Sequence, residues 1–322
     1  MPKSIQFYSQ FPPRDFRERE FGEHIPLLKQ VESRFDGSLV YFDHSTLDPW
    51  VTVASIIHHT DRHIPLVAVQ PYTMQPATAA SMIYTFAHIY NRKVDVNLIS
   101  GALPKDLEEV GDSLSKPERY ERLREFGEIV RGLLSSNEPF DYRGKYYTYQ
   151  QFSSKLALPR ELMPNFFVPM LSGSPESIAC IEAVADTVVT LPNGLQSVTD
   201  LFSRLKGKQL ELCVKVQLLA RPEARAALSA LKQDAKYYER RLAKSKYLQE
   251  HSMEEEERQV FYPTVDFVGP MIVGSYEQVS SYLRRYIEAG ITKFIVPNVL
   301  SEEDLHHCTQ VLDLLDQKLL VI

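Results

Sequence analysis

The sequence predicts an α/β fold of the (β/α)8 type, a TIM barrel, and three observations support this prediction. The 322 residues, 44% of them hydrophobic, suffice either for one barrel of about 250 residues with insertions or for two small domains, so the choice depends on the pattern along the chain. Short β-branched or aromatic runs alternate with longer amphipathic stretches, which is typical of strand–helix units around a parallel sheet. Eight such runs are present, and eight favours a closed barrel over an open sheet. We therefore expect a single domain over residues 1–322, with insertions after strands 4 and 7.

The predicted strands are mostly continuously apolar, as strands covered on both faces should be. They are Ile5–Tyr8, Ser38–Phe42, Leu66–Val69, Val94–Ile99, Phe166–Leu171, Thr187–Leu191, Leu210–Leu219 and Lys293–Pro297. Helices fill the gaps, and several begin with proline, whose missing N–H costs nothing at the first helical position. They are Glu20–Phe35, Pro49–Thr60, Pro76–Tyr90, Pro117–Leu134, Pro175–Val184, Arg221–Lys246, Tyr276–Ala289 and Glu302–Leu319.

Two stretches depart from the simple repeat. The segment FDYRGKYYTY, residues 140–149, has alternating aromatic residues around a glycine and predicts a small hairpin on the barrel rim. The segment Tyr247–Gly269 is too long for an ordinary connection and carries four consecutive glutamates, Glu254–Glu257. It is either a mobile lid or a solvated excursion, and the acidic run favours the solvated interpretation.

Composition argues against several classes of partner. The formal net charge is −6, and the longest basic clusters are isolated arginine pairs, so we expect no nucleic-acid partner. No window approaches about 18 uninterrupted apolar residues, so we expect no membrane partner and a soluble protein. The three cysteines are far apart and odd in number, which indicates a reducing compartment and therefore the cytoplasm.

Candidate site residues follow the predicted strands, because chemistry in such barrels lies at the carboxyl ends of the strands. Polar or glycine residues occupy these positions after strands two, three, four, five and eight. They are Asp43-His44-Ser45-Thr46, Gln70-Pro71-Tyr72, Ser100-Gly101, Ser172-Gly173-Ser174 and Asn298.

The turn Ser172-Gly173-Ser174 has two interpretations. Ser174 is a good N-cap for a helix that starts at Pro175, which explains the turn by itself. A glycine-containing strand-to-helix turn also presents free backbone N–H groups to an anion such as a phosphate. A second turn of this kind, Gly274-Ser275, precedes the helix from Tyr276, and late loops often contribute to phosphate sites in barrels.

The histidines suggest one catalytic candidate and no metal site. His44 adjoins Asp43 and is either a general base oriented by a carboxylate or a partly buried polar residue. His58-His59 and His306-His307-Cys308 lie within helices, where neighbours diverge by ~100° around the axis, so we expect structural roles. No G-x-S-x-G motif is present, which argues against a serine hydrolase of that type.

Several blocks, in order, resemble the bacterial luciferase-like flavin-dependent monooxygenases, and the alkanesulfonate monooxygenase branch among them. The likeness extends from about Ser38 to Val296. Its blocks are LVAVQPYTMQPATAASMIYTFAHIYNRKVDVNLISG, PERYERLREFGEIVRGLL, PNFFVPMLSGSPESIACIEAVADTVVTLP and IVGSYEQVSSYLRRYIEAGITKFIV.

The resemblance implies a barrel that binds reduced FMN, supplied by a separate flavin reductase, and oxidises a small organic substrate with oxygen through a flavin hydroperoxide. Some relatives carry hydride on a deazaflavin instead, and a homo-oligomer is expected by the same analogy. The resemblance also places Tyr120 near the substrate. The implied cofactor contacts are Val69, Gln70, Asn97, Ser100, Gly101, Ser172, Gly173, Ser174, Gly274 and Ser275.

Departures from the sulfonate branch leave the chemistry open. Thr46 stands where that branch has cysteine, and Lys215 and Gln217 stand where it has arginine and histidine, so sulfonate is not the expected substrate. His44 matches the first member of the histidine pair of luciferases, which makes it the leading general base or hydroperoxide stabiliser. Three hypotheses remain: an FMN-dependent monooxygenase, a deazaflavin-dependent hydride-transfer enzyme, and a non-catalytic flavin-binding or partner subunit.

Overall fold

The structure, a computed structural model, describes residues 5–13, 20–43, 47–101, 104–205, 209–266 and 268–319. The strands are β1 (Gln6–Gln10), β2 (Gly37–Val40), β3 (Ile64–Val69), β4 (Asp95–Leu98), β5 (Phe140–Arg143), β6 (Thr148–Phe152), β7 (Phe166–Pro169), β8 (Thr187–Thr190), β9 (Glu211–Lys215), β10 (Gln217–Arg221), β11 (Phe261–Tyr262), β12 (Met271–Ser275) and β13 (Lys293–Ile295). The α-helices are α1 (Ile25–Val31), α2 (Pro49–His59), α3 (Pro76–Tyr90), α4 (Pro104–Glu109), α5 (Lys116–Ser135), α6 (Pro175–Val184), α7 (Leu195–Phe202), α8 (Ala224–Leu231), α9 (Tyr237–Glu250), α10 (Glu255–Val260), α11 (Tyr276–Glu288) and α12 (Glu302–Leu319). Short 3-10 helices span Phe21–His24 and Arg160–Leu162.

Eight strands close a barrel in the order β1-β13-β9-β8-β7-β4-β3-β2, which confirms the predicted fold class. Their residues are the apolar runs that the sequence singles out, and they are almost continuously buried. The register is parallel, as strand–helix–strand connections require. The carboxyl ends of the strands therefore meet at one end of the barrel.

Contacts divide the chain into two compact units. One comprises the described residues within Met1–Asp36, Thr190–Ser203 and Glu211–Ile322, and the other those within Gly37–Val189 and Arg204–Leu210. We call them the first unit and the second unit.

In the second unit, side-chain direction alternates along β4. Gly127 of α5 packs so closely that an added Cβ would lie 3.1 Å from Leu98 and from Val184, so Leu98 faces the helix outside the barrel. Neighbouring side chains on a strand point to opposite faces. Asn97 therefore faces the barrel interior.

The aromatic hairpin is confirmed, since β5 and β6 pair in antiparallel register. The buried carboxylate of Glu125 on α5 holds its turn by accepting hydrogen bonds from the backbone N–H groups of Lys145 (2.7 Å), Tyr146 (2.9 Å) and Tyr147 (3.2 Å). A Cβ on Gly144 would lie 2.2 Å from that carboxylate. Glycine is therefore required at this position by close approach.

In the first unit, the predicted seventh strand Leu210–Leu219 is two strands. β9 pairs with β13, and the N–H of Val216 still donates to the Ile295 carbonyl at 3.0 Å. The next N–H, of Gln217, donates to Pro270 at 2.8 Å, and from there β10 pairs with β12 in a separate sheet of order β10-β12-β11. The strand changes partner at Val216, between Lys215 and Gln217, with no glycine or proline at the break.

The single helix predicted over Arg221–Lys246 is wrong. Arg221 ends β10, and α8 and α9 follow as separate helices joined by residues 232–236. Asp234 stabilises this joint, because its carboxylate accepts from the backbone N–H of Lys236 at 2.6 Å and pairs with Arg240 at 3.3 Å. Three further helices, α4, α7 and α10, were not predicted from the sequence.

The acidic run is not uniformly solvated, contrary to the favoured interpretation. Glu257 is buried, and its carboxylate accepts from the N–H of Leu195 at 3.0 Å at the start of α7. Burial raises the pKa of Glu257, against the lowering effect of that hydrogen bond. Glu254 forms an ion pair with Arg285 at 2.6 Å. The segment contains α10 and β11 and packs as part of the first unit.

Across the residues that the structure describes, no helix is both long enough and apolar enough to span a bilayer. Cys180, Cys213 and Cys308 are buried free thiols.

Candidate active site

The sequence-predicted site residues fall into three groups. Val69, Gln70, Asn97, Ser100, Gly101, Tyr120, Ser172, Gly173 and Ser174 belong to the second unit. Lys215, Gln217, Gly274 and Ser275 belong to the first unit. His44 and Thr46 lie outside the described residues, so their roles remain predictions.

Two amide side chains lie on adjacent strands in the second unit. Asn97 on β4 is in register with Ala68 on β3, and Gln70 is two residues further along, so the side chains of Gln70 and Asn97 face the same interior side. Within the described part of the chain, Gln70 Oε1 and Asn97 Oδ1 are both buried and without a hydrogen-bond partner. Buried acceptors of this kind are costly unless a ligand satisfies them.

Tyr120 of α5 lies beside the residues that follow β4. A side-chain hydrogen bond links Ser100 to the buried Tyr120 hydroxyl. Burial raises the pKa of Tyr120, and the bond from Ser100 partly opposes this shift. The phenol therefore stays protonated at neutral pH. Gly101, next in the chain, has φ +89°, and a Cβ there would lie 2.7 Å from Leu107.

The Ser172-Gly173-Ser174 turn connects β7 to α6. Gly173 has φ +58°, which favours glycine, and Ser174 is the N-cap of α6, accepting from the N–H of Ser177 over a long 3.4 Å. Lys116, the first residue of α5, places Nζ 3.4 Å from Ser172 Oγ. A helix start, a weakly occupied cap and a lysine ammonium thus meet at one exposed turn, an arrangement suited to an anion.

The turn Gly274-Ser275 differs from the turn at Ser174 because its N-cap hydrogen bonds are complete. Ser275 forms a complete capping box with Gln278: Ser275 Oγ accepts from the Gln278 N–H at 3.2 Å, and the Ser275 N–H donates to Gln278 Oε1 at 2.9 Å. Gly274 lies within β12, in register with Ala220. This turn therefore has fewer groups left for a ligand than the turn at Ser174.

Gln217 and Asn298 hold backbone in the first unit. Gln217 Nε2 donates to the Gly269 carbonyl at 2.7 Å, and Gly269 approaches so closely that a Cβ would lie 2.6 Å from the Lys215 carbonyl oxygen. Asn298 follows β13 and bonds both backbone groups of Leu218, at 3.0 and 2.9 Å. These contacts hold β10 in its position next to β12, after β9 has ended its pairing with β13.

A buried ion pair stiffens the second unit near Tyr72, which follows β3. Arg122 binds the Asp112 carboxylate with two hydrogen bonds, of 2.7 and 3.1 Å, and the two side chains are only 12% and 5% exposed. The Arg122 guanidinium lies 5.9 Å from the centre of the Tyr72 ring. Burial, followed by the nearby Asp112 charge, raises the pKa of Tyr72 to about 12.

The sequence analysis missed two residues of interest. Gln10 ends β1, is buried, and has no partner for either amide atom among the described residues. Gln10 could have been identified as a polar residue at the carboxyl end of a strand. The predicted strand ended at Tyr8, so Gln10 was not considered. Lys116 had no sequence signal, because it lies 56 residues from Ser172 along the chain and the two meet only where the start of α5 packs beside the turn before α6.

His59 and His307, from the two histidine groups, each contact a polar group of the protein. His59 Nδ1 lies 2.8 Å from the Ser55 carbonyl oxygen, and His307 Nδ1 lies 2.7 Å from the Tyr276 hydroxyl. Burial lowers the pKa of His307. Within the described residues, no group of three or more histidine, cysteine, aspartate or glutamate side chains has the arrangement of a metal site.

Comparisons with known proteins agree with this architecture. Residues 10–293 match the sequence model of the family described as luciferase-like monooxygenase. The chain is 31% identical over 332 residues to 4-(gamma-L-glutamylamino)butanoyl-[BtrI acyl-carrier protein] monooxygenase BtrO of Niallia circulans, covering 96% of each chain. Among solved structures it resembles EDTA monooxygenase (EmoA) from Chelativorans sp. BNC1, with TM-score 0.75, 15% identity and coverage of 98% of this chain and 94% of that one. It also resembles the oxygenating constituent of 3,6-diketocamphane monooxygenase from the CAM plasmid of Pseudomonas putida in complex with FMN, with TM-score 0.69, 16% identity and 96% coverage of both chains.

Proposed function

Since the chain belongs to the luciferase-like monooxygenase family, we propose that it uses reduced FMN from a separate flavin reductase to oxygenate an acyl group held on an acyl-carrier protein. Family membership makes the chain an oxidoreductase of the monooxygenase type. The cofactor form, the reductase and the substrate are the proposed parts, and each rests on a separate observation.

The observation that carries the cofactor assignment is the pair of buried amide oxygens, Gln70 Oε1 and Asn97 Oδ1. A flavin ring edge offers N–H donors that would satisfy both acceptors, so the residues present fit such a group. Bound reduced flavin supplies two electrons to O2, so that one oxygen atom enters the substrate and the other leaves as water. The FMN named for the diketocamphane enzyme supports FMN as the form.

The phosphate of FMN is assigned to the turn at Ser174. Backbone N–H groups at the start of α6 and the Lys116 ammonium would both face an anion beside Ser172. The complete capping box of Ser275 makes the late turn the weaker candidate. We therefore propose that Ser174 and Lys116 contribute more to phosphate binding than Gly274 and Ser275 do.

Tyr120 is the proposed proton donor among the described residues. Its phenol is buried and protonated at neutral pH, and Ser100 orients the hydroxyl by a hydrogen bond. A positioned acid of this kind can deliver a proton to an oxygen atom that gains negative charge. His44 and Thr46 keep the base and hydroxyl roles that the family resemblance implies, as proposals.

The substrate assignment follows the relative that is 31% identical over nearly the whole chain, whose name specifies an acyl group on the BtrI acyl-carrier protein. The substituted Thr46, Lys215 and Gln217 argue against a sulfonate. The candidate is therefore a thioester-bound acyl chain rather than a sulfonate or a free hydrocarbon.

One set of titrations tests the cofactor proposal. Under anaerobic conditions, fluorescence titration should show binding of reduced FMN, with reduced riboflavin weaker because it lacks the phosphate and deazaflavin cofactor F420 weaker still. With a flavin reductase and oxygen present, turnover of a carrier-bound acyl thioester should follow. Binding of F420 with no binding of reduced FMN would establish the hydride-transfer alternative instead.

A further inference from the structure

A cationic cleft lies between α8 and α9 in the first unit, away from the residues assigned above. It encloses about 630 Å3, and its walls include Arg225 from α8, Lys232 at the C-cap of α8, Arg241 and Lys244 from α9, and Tyr262 from β11. Arg225, Leu228 and Ser229 follow the i, i+3, i+4 spacing, so they form one face of α8, and the C-cap residue Lys232 extends this face at i+7. We call this the α8–α9 cleft.

The charge of the cleft is uncompensated. No aspartate or glutamate lines it, and none of its four cations forms an ion pair within the described residues. Nearby cations behave differently: Lys236 pairs with Asp266 at 2.9 Å and Arg240 with Asp234 at 3.3 Å. Four unpaired cations around one cleft stand out in a chain of net charge −6 and predict an anionic partner.

The ammonium group of Lys244, in the wall of the cleft, is partly shielded from solvent. It lies 4.0 Å from the centre of the Tyr262 ring and donates to the Gln259 carbonyl at 3.1 Å. Burial lowers the pKa of Lys244 to about 8. A cation held in such a place is stabilised when a carboxylate or phosphate covers it.

Apolar side chains beside the cleft favour a protein over a small anion. Leu228 on α8 is 43% exposed, and Tyr238 and Leu242, one turn apart on α9, are 79% and 74% exposed. A free phosphate or carboxylate gains nothing from these groups. Exposed leucine and tyrosine interleaved with arginine are typical of protein–protein contact surfaces.

The cleft also lies towards the carboxyl ends of the barrel strands β9 and β13. β10 continues β9 past the last barrel pairing, and Asn298, beyond the end of β13, still bonds Leu218 of β10. The β10-β12-β11 sheet therefore lies at the carboxyl end of β9 and β13, and α8 and α9 pack on it through Ala227, Leu231 and Tyr237. Chemistry in these barrels occurs at this end.

We propose that the α8–α9 cleft docks the acyl-carrier protein that delivers the substrate, by pairing with an acidic and partly apolar face of that protein. This inference rests on the proposed function. Charge pairing would govern the encounter of the two proteins and be screened by salt, while Leu228, Tyr238 and Leu242 would supply the apolar contact.

The test compares two forms of one substrate. The 4-(γ-L-glutamylamino)butanoyl group is presented either on the BtrI acyl-carrier protein or as a thioester of free pantetheine, with reduced FMN supplied by a reductase. The cleft variant is Arg225→Glu, Lys232→Glu and Arg241→Glu in one chain. The matched control reverses three exposed cations elsewhere, Lys29→Glu, Lys155→Glu and Arg160→Glu, so both variants carry the same net charge.

For the carrier-bound thioester, the cleft variant should lose at least about tenfold in kcat/KM at low salt, mainly through KM, whereas the control should keep its value. For the pantetheine thioester, both variants should match the parent chain, which also shows that the cleft variant is folded. Equal kcat/KM of both variants with the carrier-bound form overturns the docking site and leaves the proposed function intact. Oxidation of neither thioester by the parent chain overturns the proposed substrate, and the docking inference falls with it.

Discussion

A side-chain hydrogen bond links Ser100 to the Tyr120 hydroxyl, so a residue that follows β4 is joined to the first half of α5. Both residues were identified from sequence, one as a cofactor contact and one as a substrate contact, and the structure places them within one hydrogen bond. A change in either should therefore alter the same chemical step.

Replacement Tyr120→Phe removes the proposed proton donor and keeps the ring. We expect kcat/KM to fall by at least about tenfold, because positioned acids contribute factors of this size or more. Stability should change by only about 1 kcal/mol, the typical value of one hydrogen bond. Steady-state kinetics and urea unfolding measure the two effects, and reduced-FMN affinity should be unchanged.

Ser100→Ala removes the hydrogen bond that positions the Tyr120 hydroxyl but keeps the proposed proton donor itself. The bond from Ser100 lowers the pKa of Tyr120, so its removal should raise that pKa further. If Tyr120 acts as an acid, activity is lost as pH rises through its pKa, and the basic limb of the pH–kcat profile should move to higher pH in this variant. An unmoved basic limb would assign that limb to another group.

Gln70→Met and Asn97→Leu replace the partnerless amides with apolar side chains of similar size. We expect apo-protein stability to stay equal or to rise by up to about 1 kcal/mol, because a buried unsatisfied acceptor is removed. Reduced-FMN affinity should fall about tenfold or more, since each acceptor would lose a flavin N–H donor. Chemical unfolding and anaerobic titration provide the two readings.

Gln217→Met is the matched control for this pair. Its amide already donates to the Gly269 carbonyl at 2.7 Å, so the same substitution should destabilise the protein by about 1 to 3 kcal/mol. Loss of stability in Gln70→Met comparable to that in Gln217→Met would mean that the Gln70 amide is a structural group.

Ser174→Ala and Ser275→Ala distinguish the two helix-start turns. Each should cost about 1 kcal/mol of stability, since each serine caps a helix. Only Ser174→Ala, and likewise Lys116→Met, should weaken binding of reduced FMN, while binding of reduced riboflavin stays constant because it has no phosphate. Parallel loss of FMN and riboflavin affinity would exclude a phosphate site at this turn.

Gly144→Ala tests the attachment of the aromatic hairpin to α5. The new methyl group would lie 2.2 Å from the Glu125 carboxylate, which would have to leave three backbone N–H donors. We expect a loss of about 2 to 4 kcal/mol in unfolding free energy, as for other buried hydrogen-bond networks that are broken. Gly22→Ala, whose added Cβ meets nothing within 4 Å, should be nearly neutral.

Glu257→Gln tests the buried member of the acidic run. Burial raises the folded-state pKa of Glu257 above its unfolded value, so the folded protein binds the proton more tightly. Its contribution to stability is therefore present below the unfolded pKa and is lost as pH rises through the folded pKa. The glutamine variant should abolish this loss in unfolding curves measured from pH 4 to 8. Glu256→Gln, at an exposed neighbour, should keep the pH dependence of the parent chain.

The barrel was readable from sequence because each of its strands is a compact apolar run, and helices α3, α6 and α12 begin and end where the prolines and caps predict. The change of pairing partner in the seventh predicted strand, from β13 to β12, could not be predicted from the sequence. β9 and β10 follow each other with only Val216 between them and no turn residue, and the contact that separates them, from Gln217 to Gly269, spans 52 residues of chain. The break between α8 and α9 was missed for a similar reason, since helix-forming residues continue through it and Asp234 stabilises the turn only after folding.

The site remains a prediction from sequence: position after a parallel strand selects Gln70 and Ser100 without knowledge of their partners, and the family resemblance adds Asn97 within β4. Sequence could not distinguish Ser174 from Ser275, since both precede a helix as potential caps. The difference lies in the occupancy of the two caps, which depends on Gln278 and on the length of one hydrogen bond.

The partner change at Val216 has a consequence for divergence within the family. Because β10 pairs with β12 rather than with a barrel strand, the chain from 217 to 275 can lengthen, shorten or change its charge while the β9–β13 register stays constant. We therefore expect the surface of this segment to differ between members of the family while the barrel pairing of β9 and β13 is kept.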